Sequence, residues 1–230
     1  VVITIVLINC SLYITSNLLI YFFKYDIGGA GWNANYVLFN TFGGGIQIIS
    51  MMLFYPLFRK FISAMQVFYV SFVMAIGGYA VLLALMFTNH TNIYILMIPG
   101  FFIFTAFGML TVLTTVFLAN TVDYGELKNN RRDESVIFSM QTFVVKLASG
   151  VAAMIASICL TISNISNDTS TEAAAMVSDS YTSVAVLRMT MTVLPIIGLL
   201  VAVFIFAKKY ILTDEKLGEI NQELAHRHKA

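Results

Sequence analysis

The sequence predicts an all-α, polytopic membrane protein with six transmembrane helices. Hydrophobic residues make up 59% of the 230 residues and charged residues only 11%, and the mean hydropathy is +0.84. A soluble domain of this size exposes far more charge, whereas long uncharged runs are typical of membrane spans. The lipid bilayer is therefore the expected environment, and the net charge of +1 gives no indication of a nucleic-acid partner.

Six apolar runs are each long enough to cross a bilayer. The predicted spans are 2–23, 34–58, 62–87, 93–119, 136–162 and 182–208. Together they form one predicted bundle, residues 1–208, followed by a tail, residues 209–230. Pro56, Pro99 and Pro195 lie within spans, where helix bends are expected.

Span one starts with the chain, without an initiator Met, a basic segment or a small-residue cleavage site. It is therefore predicted to be a span rather than a signal peptide, and the chain is expected to be part of a longer protein. Its polar residues Asn9, Tyr13, Ser16 and Asn17 follow the helical spacing i, i+4, i+7 and i+8, so they share one face.

Spans two, four and five also carry polar side chains at helical spacing, whereas span three does not. The members are Tyr36, Asn40 and Gln47 in span two, Thr111, Thr114 and Thr115 in span four, and Ser139, Gln141, Thr142, Lys146 and Ser149 in span five. Such faces favour an aqueous cavity whose hydroxyl and amide groups bind polyols. For any single Ser or Thr, an interhelical hydrogen bond worth about 0.6 kcal/mol is the alternative.

Lys146 lies ten residues into span five, about 15 Å from its start at a rise of about 1.5 Å per residue. A lysine cannot reach water from that depth, and an ammonium group there faces a partner or a wet cavity. We expect Lys146 to lie on a substrate or ion pathway; a lysine that only joins two helices is the alternative. Arg188, near the start of span six, is expected to snorkel to the interface.

Lysine and arginine are concentrated in alternate loops and in the tail. They are Arg59 and Lys60 after span two, Lys128, Arg131 and Arg132 after span four, and Lys208, Lys209, Lys216, Arg227 and Lys229 after span six. The positive-inside rule places these segments, and both ends of the chain, in the cytoplasm of a cell whose plasma or inner membrane holds the protein. Leu217, Ile220 and Leu224 predict an amphipathic tail helix that lies against the cytoplasmic face, with a partner site as the alternative.

The segment after span four carries the most specific pattern of the chain. It contains Asp123-Tyr124-Gly125-Glu126, Arg132 and Glu134, and it leads into Gln141-Thr142 and Val145-Lys146. Taken alone, its charges fit a solvated loop or a charge network that forms in one transport state. Taken together, these residues resemble the glycoside–pentoside–hexuronide:cation symporter family, and the six spans are similar to the C-terminal half of those twelve-span proteins.

The resemblance implies the major facilitator fold, in which two six-helix bundles surround a central cavity. It places Lys146 close to the cation and sugar sites, and Gln141 and Thr142 near the sugar. Thr111 stands where melibiose permease has a tryptophan near its sugar, so melibiose is not the expected substrate. The polar face of span one adds Tyr13 and Asn17 to this candidate site. The implied charge network of the inward gate consists of Asp123, Tyr124, Glu126, Arg132 and Glu134.

The implied function is cation-coupled symport of a sugar, that is, a glycoside, pentoside or hexuronide. The coupling ion is Na⁺ or H⁺, with Li⁺ also open, and its carboxylate ligands are expected in an N-terminal six-helix half that this chain lacks. No cofactor and no metal site are expected, because no His or Cys cluster has metal-ligand spacing. A non-transporting sensor or scaffold is the alternative, and no catalytic constellation within the spans indicates an enzyme.

Overall fold

The described part of the computed structural model is helical and comprises residues 1–29, 31–88, 92–129, 134–163, 165, 181–210 and 214–227. The helices in this part are α1 (Val2–Tyr21), α2 (Trp32–Ile49), α3 (Tyr55–Phe61), α4 (Ala64–Phe87), α5 (Ile93–Asn129), α6 (Glu134–Ile162), α7 (Tyr181–Lys209) and α8 (Asp214–Arg227). A π-helical segment, Phe22–Ile27, continues α1, and a second one, Ser50–Phe54, joins α2 to α3.

Six helical segments are long and apolar enough to cross a membrane, which confirms the predicted fold class. They are Val2–Ile27, Trp32–Phe61, Ala64–Phe87, Ile93–Asn129, Glu134–Ile162 and Thr182–Lys209. α1 packs between α6 and α7, α5 packs between α2 and α4, and α7 also contacts α4. We call the end of the bundle that carries Arg59, Lys60, Lys128 and Lys208 the basic end.

α5 continues ten residues beyond the predicted end of span four at residue 119. The Asp123–Glu126 motif therefore lies on a helix, and the expectation that it forms a loop is wrong. The extension contains no proline, Val122 is buried within it, and Leu127 packs against another helix. These apolar contacts favour continued helix over a solvated loop.

The tail forms helix α8, which packs on the extension of α5. Ile220 is buried there, and Tyr124 and Leu127 of α5 pack against it together with Leu217 of α8. This packing agrees with the apolar stripe predicted for the tail, although the side chain of Leu224 lies outside the described residues. The tail helix is thereby attached to the same segment that carries the Asp123–Glu126 motif.

α2 and α5 approach each other closely because Gly108 has no side chain. A Cβ atom at this position would lie 2.6 Å from the backbone oxygen of Gln47 and 2.7 Å from Cβ of Ser50. The same contact allows Ser50 Oγ to donate a hydrogen bond of 2.6 Å to the carbonyl of Thr105. Small residues commonly allow such backbone approach between membrane helices.

The chain reverses between α3 and α4 at Ile62 and Ser63, at the basic end. Ser63 and Gln66 form a capping box, in which Ser63 Oγ accepts from the amide of Gln66 at 3.2 Å. In return, the amide of Ser63 donates to Gln66 Oε1 at 2.9 Å. The box satisfies backbone donors at the start of α4 that would otherwise lack partners.

Candidate sugar-binding cavity

A cavity of about 440 Å³ lies between α1, α2, α5 and α6. Nine of the fifteen residues in its wall carry a hydroxyl or an amide, and no wall residue is Asp, Glu, Lys, Arg or His. The nine are Asn9, Tyr13, Ser16, Asn40, Gln47, Thr111, Thr114, Thr115 and Gln141. The cavity thus collects the polar faces of α1, α2 and α5, which are visible in the sequence as helical spacings, together with Gln141 of α6.

Hydroxyl groups of α5 donate hydrogen bonds back to their own helix. Thr111 Oγ1 donates to the carbonyl of Phe107 at 2.8 Å, and Thr115 Oγ1 donates to that of Thr111 at 3.2 Å. Gln141 Nε2 of α6 lies 3.4 Å from Thr115 Oγ1 and donates to it. Each hydroxyl oxygen keeps acceptor capacity, and the Gln141 amide keeps both a donor and an acceptor for a ligand.

Four other polar residues of the wall, Tyr13, Ser16, Asn40 and Gln47, have no side-chain hydrogen-bond partner among the described residues. Polar groups at membrane depth that lack a partner are costly, so they require water or a polar ligand. Amides and hydroxyls both donate and accept. A sugar, whose hydroxyl groups also do both, matches this set of groups chemically.

Half-buried Phe104 supplies apolar surface to the same wall, and Phe107 is a fully buried member of that wall. The Phe104 ring packs on Phe39 at a centroid distance of 5.8 Å, and the Phe107 ring packs on Tyr79 at 6.3 Å. Both rings are thereby held in place from behind. A few polar groups beside apolar and aromatic side chains are the usual composition of a small-molecule site.

The predicted site residues fall into two groups. Tyr13, Thr111 and Gln141 lie in the cavity wall, whereas Lys146, Thr142 and Asn17 do not. Asn17 follows Ser16 on α1 and is exposed. Thr142 and Lys146 are exposed on α6, where Thr142 Oγ1 donates to the carbonyl of Phe138 at 3.2 Å. The structure therefore assembles half of the candidate set around one cavity and leaves the other half on its borders.

Helix α6 has three distinct faces when its residues are placed at roughly 100° intervals. The buried face contains Val144, Ala148, Ala152, Ala156 and Cys159. An exposed apolar face contains Met140, Phe143, Leu147, Met154 and Ile158. The third face is exposed but polar or small, and contains Ser139, Thr142, Lys146, Ser149 and Ala153. Lys146 is thus separated from the apolar face that suits lipid.

The residues of the predicted gate lie at the basic end. Asp123, Tyr124 and Glu126 are half-buried on the extension of α5, and Glu134 is the first residue of α6. Arg132 lies outside the described residues. The charge network therefore stays a prediction, and the structure adds that Tyr124 contributes to the packing of α8.

An ion pair between Asp26 and Arg188 was missed by sequence reasoning. Arg188 Nε donates to Asp26 Oδ2 at 2.8 Å, and its terminal nitrogen donates to Oδ1 at 2.6 Å. The side chains of Arg188 and Asp26 are only 11% and 5% exposed, so the expectation that Arg188 snorkels to the interface is wrong. The sequence contained a usable signal, because Asp26 lies just after predicted span one and Arg188 lies near the start of predicted span six, on the same predicted side of the membrane.

Comparisons with known proteins agree with this architecture. The family described as MFS/sugar transport protein matches residues 1–214. A lactose permease of Lactobacillus delbrueckii subsp. bulgaricus is 32% identical over 209 residues, which cover 89% of this chain and 31% of that protein. A raffinose carrier protein of Pediococcus pentosaceus is 28% identical over 217 residues, covering 92% of this chain and 31% of the carrier.

A third relative, an uncharacterized symporter of Bacillus subtilis, is 24% identical over 213 residues, which cover 92% of this chain and 42% of that protein. The chain thus spans about a third of the length of the first two relatives and less than half of the third. All three are named as permeases, carriers or symporters, which agrees with the prediction that the protein is not an enzyme. Because the family match covers nearly the whole chain, this multi-pass membrane protein belongs to the MFS/sugar transport protein family.

Proposed function

We propose that this chain is one six-helix half of a cation-coupled sugar transporter and that its polar cavity forms part of the sugar site. The observation that carries the proposal is an uncharged, hydroxyl- and amide-rich cavity inside a membrane bundle. The names of the lactose and raffinose relatives support a sugar as the ligand.

A neutral glycoside or pentoside fits the cavity better than a hexuronide. A carboxylate in a low-dielectric site requires a counter-charge, and the wall of this cavity has none. Half-buried Phe104 offers apolar surface to the C–H face of a sugar ring. It lies seven residues before Thr111, so aromatic contact with the sugar does not require the tryptophan that Thr111 replaces.

The polar face of α6 supports a second half-bundle as the partner. Lys146 is exposed on this face, although it lies at membrane depth, where an ammonium group facing lipid is costly. A partner surface across a central cavity would supply both water and counter-charge. We therefore place an N-terminal six-helix half opposite Ser139, Thr142, Lys146 and Ser149.

Coupling to a cation is assigned to carboxylates of that other half. Among the described residues of the six spans, Asp26 is the one carboxylate away from the basic end, and it is already bound by Arg188. Lys146 would pair with the coupling carboxylates until Na⁺ or H⁺ takes its place, with Li⁺ also open. Loss of that pairing would change the charge balance across the interface and permit the two halves to move.

The basic end is assigned to the cytoplasm, because Lys and Arg are enriched in cytoplasmic loops. This orientation places both ends of the chain inside the cell, with the protein in the plasma or inner membrane. Asp123, Glu126, Arg132 and Glu134 would then border the inward opening. At that place they could form the charge network that closes the inward gate.

The test is sugar uptake by the full-length gene product that contains these 230 residues, expressed in a transport-deficient host. Galactosides, xylosides and glucuronides are offered with and without Na⁺, and with and without a protonophore. We expect uptake of a neutral glycoside or pentoside that depends on Na⁺ or on the proton gradient. Absence of uptake from protein shown to be in the membrane would favour a sensor or scaffold.

The role of Lys146 is tested with Lys146→Ala in the same assay. We expect uphill accumulation to be lost while the amount of protein in the membrane stays near normal. Without Lys146, no ammonium group competes with the cation for the coupling carboxylates, so cation binding no longer changes the pairing between the two halves. Lys60→Ala, which removes an exposed lysine at the basic end, is the matched control and should accumulate sugar normally. Retained accumulation by Lys146→Ala would contradict the coupling mechanism.

A further inference from the structure

We propose that Asp26 and Arg188 are positioning residues that hold α1 against α7, so that the two helices move as one unit during transport. The inference rests on the proposed function, because α1 supplies Asn9, Tyr13 and Ser16 to the sugar cavity. The two charged residues are 162 positions apart in the sequence, so the contact joins elements that are distant along the chain.

The ion pair has the geometry of a strong contact. Two nearly parallel hydrogen bonds, 2.8 and 2.6 Å long, join the guanidinium of Arg188 to the carboxylate of Asp26. The guanidinium carbon also lies 5.8 Å from the ring centroid of Phe87, at the end of α4. Bidentate pairing and a cation–π contact fix orientation as well as distance, so three helices meet at this point.

A second contact between α1 and α7 follows from Pro195. Proline has no backbone N–H, so the carbonyl of Met191, four residues earlier, loses its helical donor. Thr15 Oγ1 of α1 lies 3.1 Å from this carbonyl oxygen and donates to it. Tyr79 OH of α4 lies 2.8 Å from Thr15 Oγ1 and can donate in turn. The Met191 carbonyl, which lacks a helical donor because of Pro195, therefore receives its hydrogen bond from α1.

A third contact is close packing at Gly198. A Cβ atom there would lie 2.6 Å from Ser11 Oγ, so a larger residue would force the Ser11 hydroxyl to rotate away. Ser11 Oγ also lies 3.4 Å from the carbonyl oxygen of Pro195. The α7 positions 188, 191, 195 and 198 follow the spacing i, i+3, i+7 and i+10, so one face of α7 makes all three contacts.

The residues that contact α7 lie on the side of α1 that is opposite to the cavity. Ser11 is two residues from Asn9, or roughly 200° around the helix. Thr15 is likewise two residues from Tyr13. α7 thus supports the back of the wall whose front presents Asn9, Tyr13 and Ser16 to the sugar, and the ion pair fixes one end of this support.

Separation of α1 from α7 would break the ion pair of Asp26 with Arg188 and would remove the Thr15 donor from the Met191 carbonyl. Each of these losses is unfavourable, and together they disfavour any transport state in which the two helices part. The opening and closing of the cavity must then take place at other helix boundaries. The positions of Asn9, Tyr13 and Ser16 relative to α7 stay the same in every state.

The first test measures the KM and the maximal rate of sugar uptake by the full-length protein. Asp26→Asn and Arg188→Gln should each raise KM about tenfold or more, because the buried ion pair is broken and α1 shifts. Asp26→Glu, which keeps the charge and the pair, should recover most of the wild-type KM, whereas the double variant Asp26→Asn/Arg188→Gln, which lacks the pair, should keep a raised KM. Lys24→Gln, a neighbouring charge change outside the pair, should leave KM unchanged.

The second test joins the two helices covalently. Asp26→Cys/Arg188→Cys is made in a cysteine-free background and bridged with thiol cross-linkers of short length. If α1 and α7 stay together, uptake by the bridged protein should equal that of the same unbridged protein. Uptake that is lost on bridging and restored by cleavage of the bridge would show that the helices separate, and would overturn the inference.

The outcomes separate this inference from the proposed function. Absence of sugar uptake by the wild-type protein would contradict the proposed function and the inference with it. Normal wild-type uptake combined with an unchanged KM in Asp26→Asn would contradict the inference alone. If a single variant fails to reach the membrane, the double variant and the bridged protein still decide the question, because both charges are removed in each; a wild-type KM in the double variant would contradict the inference.

Discussion

Replacement of Gly108 by alanine should loosen the contact between α2 and α5 on which the cavity depends. The added Cβ would lie 2.6 Å from the backbone oxygen of Gln47, and ordinary contacts begin at 3.4 Å. A backbone atom cannot rotate away, so the two helices must separate by about 0.8 Å to remove the overlap, and shifts of this kind cost about 1–3 kcal/mol.

The same separation would weaken the hydrogen bond from Ser50 Oγ to the carbonyl of Thr105, now 2.6 Å long. Such a bond between membrane helices contributes about 0.6 kcal/mol. After subtraction of the about 1 kcal/mol that alanine gains over glycine in a helix, we expect the free energy of unfolding to fall by about 1–3 kcal/mol in Gly108→Ala. Sugar uptake should fall as well, because Gln47 moves with the α2 backbone and a displacement near 1 Å can lower rates by about 100-fold.

The assay is thermal unfolding of the purified full-length protein in detergent, with uptake measured in parallel. Gly77→Ala is the matched control, because a Cβ atom at Gly77 would have no neighbour within 4 Å. Alanine also favours helix over glycine by about 1 kcal/mol, so the control should unfold at the same temperature as wild type or slightly above it. Equal unfolding temperatures for Gly108→Ala and Gly77→Ala would refute the close-packing argument.

Two further substitutions test other contacts. Thr15→Val keeps the side-chain shape but removes the donor to the Met191 carbonyl, so the free energy of unfolding should fall by about 1–3 kcal/mol, as measured by chemical or thermal unfolding. Thr161→Val is the control and should be neutral, because the Thr161 hydroxyl donates to the carbonyl of Ser157 in its own helix. Ile220→Ala should release α8 from α5. Amide hydrogen exchange should then become faster in the tail, while the exchange rates of the bundle stay the same. Gln222→Ala, at an exposed position of the same helix, should leave the tail protected.

The six spans and their polar faces could be predicted because the bilayer imposes simple constraints on length and composition. A helix that crosses about 30 Å of hydrocarbon needs about 20 apolar residues, and polar side chains at helical spacing must share a face. Asn9, Tyr13, Asn40 and Gln47 were visible in this way. Their convergence on one cavity could not be predicted, because the sequence does not specify how each helix is rotated about its own axis.

The same limitation explains the position of Lys146. The depth of Lys146 in the membrane follows from counting residues. The angle between Lys146 and Gln141 around the axis of α6 decides whether Lys146 enters the cavity of this half or faces a partner. The pair of Asp26 and Arg188 needed a further step, the comparison of depths of two charges in different spans. The helical extension of α5 was missed because charged residues suggested a loop, whereas Val122 and Leu127 supply the buried contacts of a helix.

The central claim, that the polar cavity holds the sugar, is tested most directly by filling the cavity from one side. Gly44 lies in the wall, whereas Gly45 does not, and a Cβ atom at either position would have no neighbour within 4 Å. Gly44→Leu therefore adds a side chain to the cavity wall from a Cβ atom that meets no protein atom, and Gly45→Leu adds the same side chain elsewhere. Sugar binding and uptake by the full-length protein should be lost in Gly44→Leu and retained in Gly45→Leu, whereas equal binding by the two variants would contradict the assignment of the cavity.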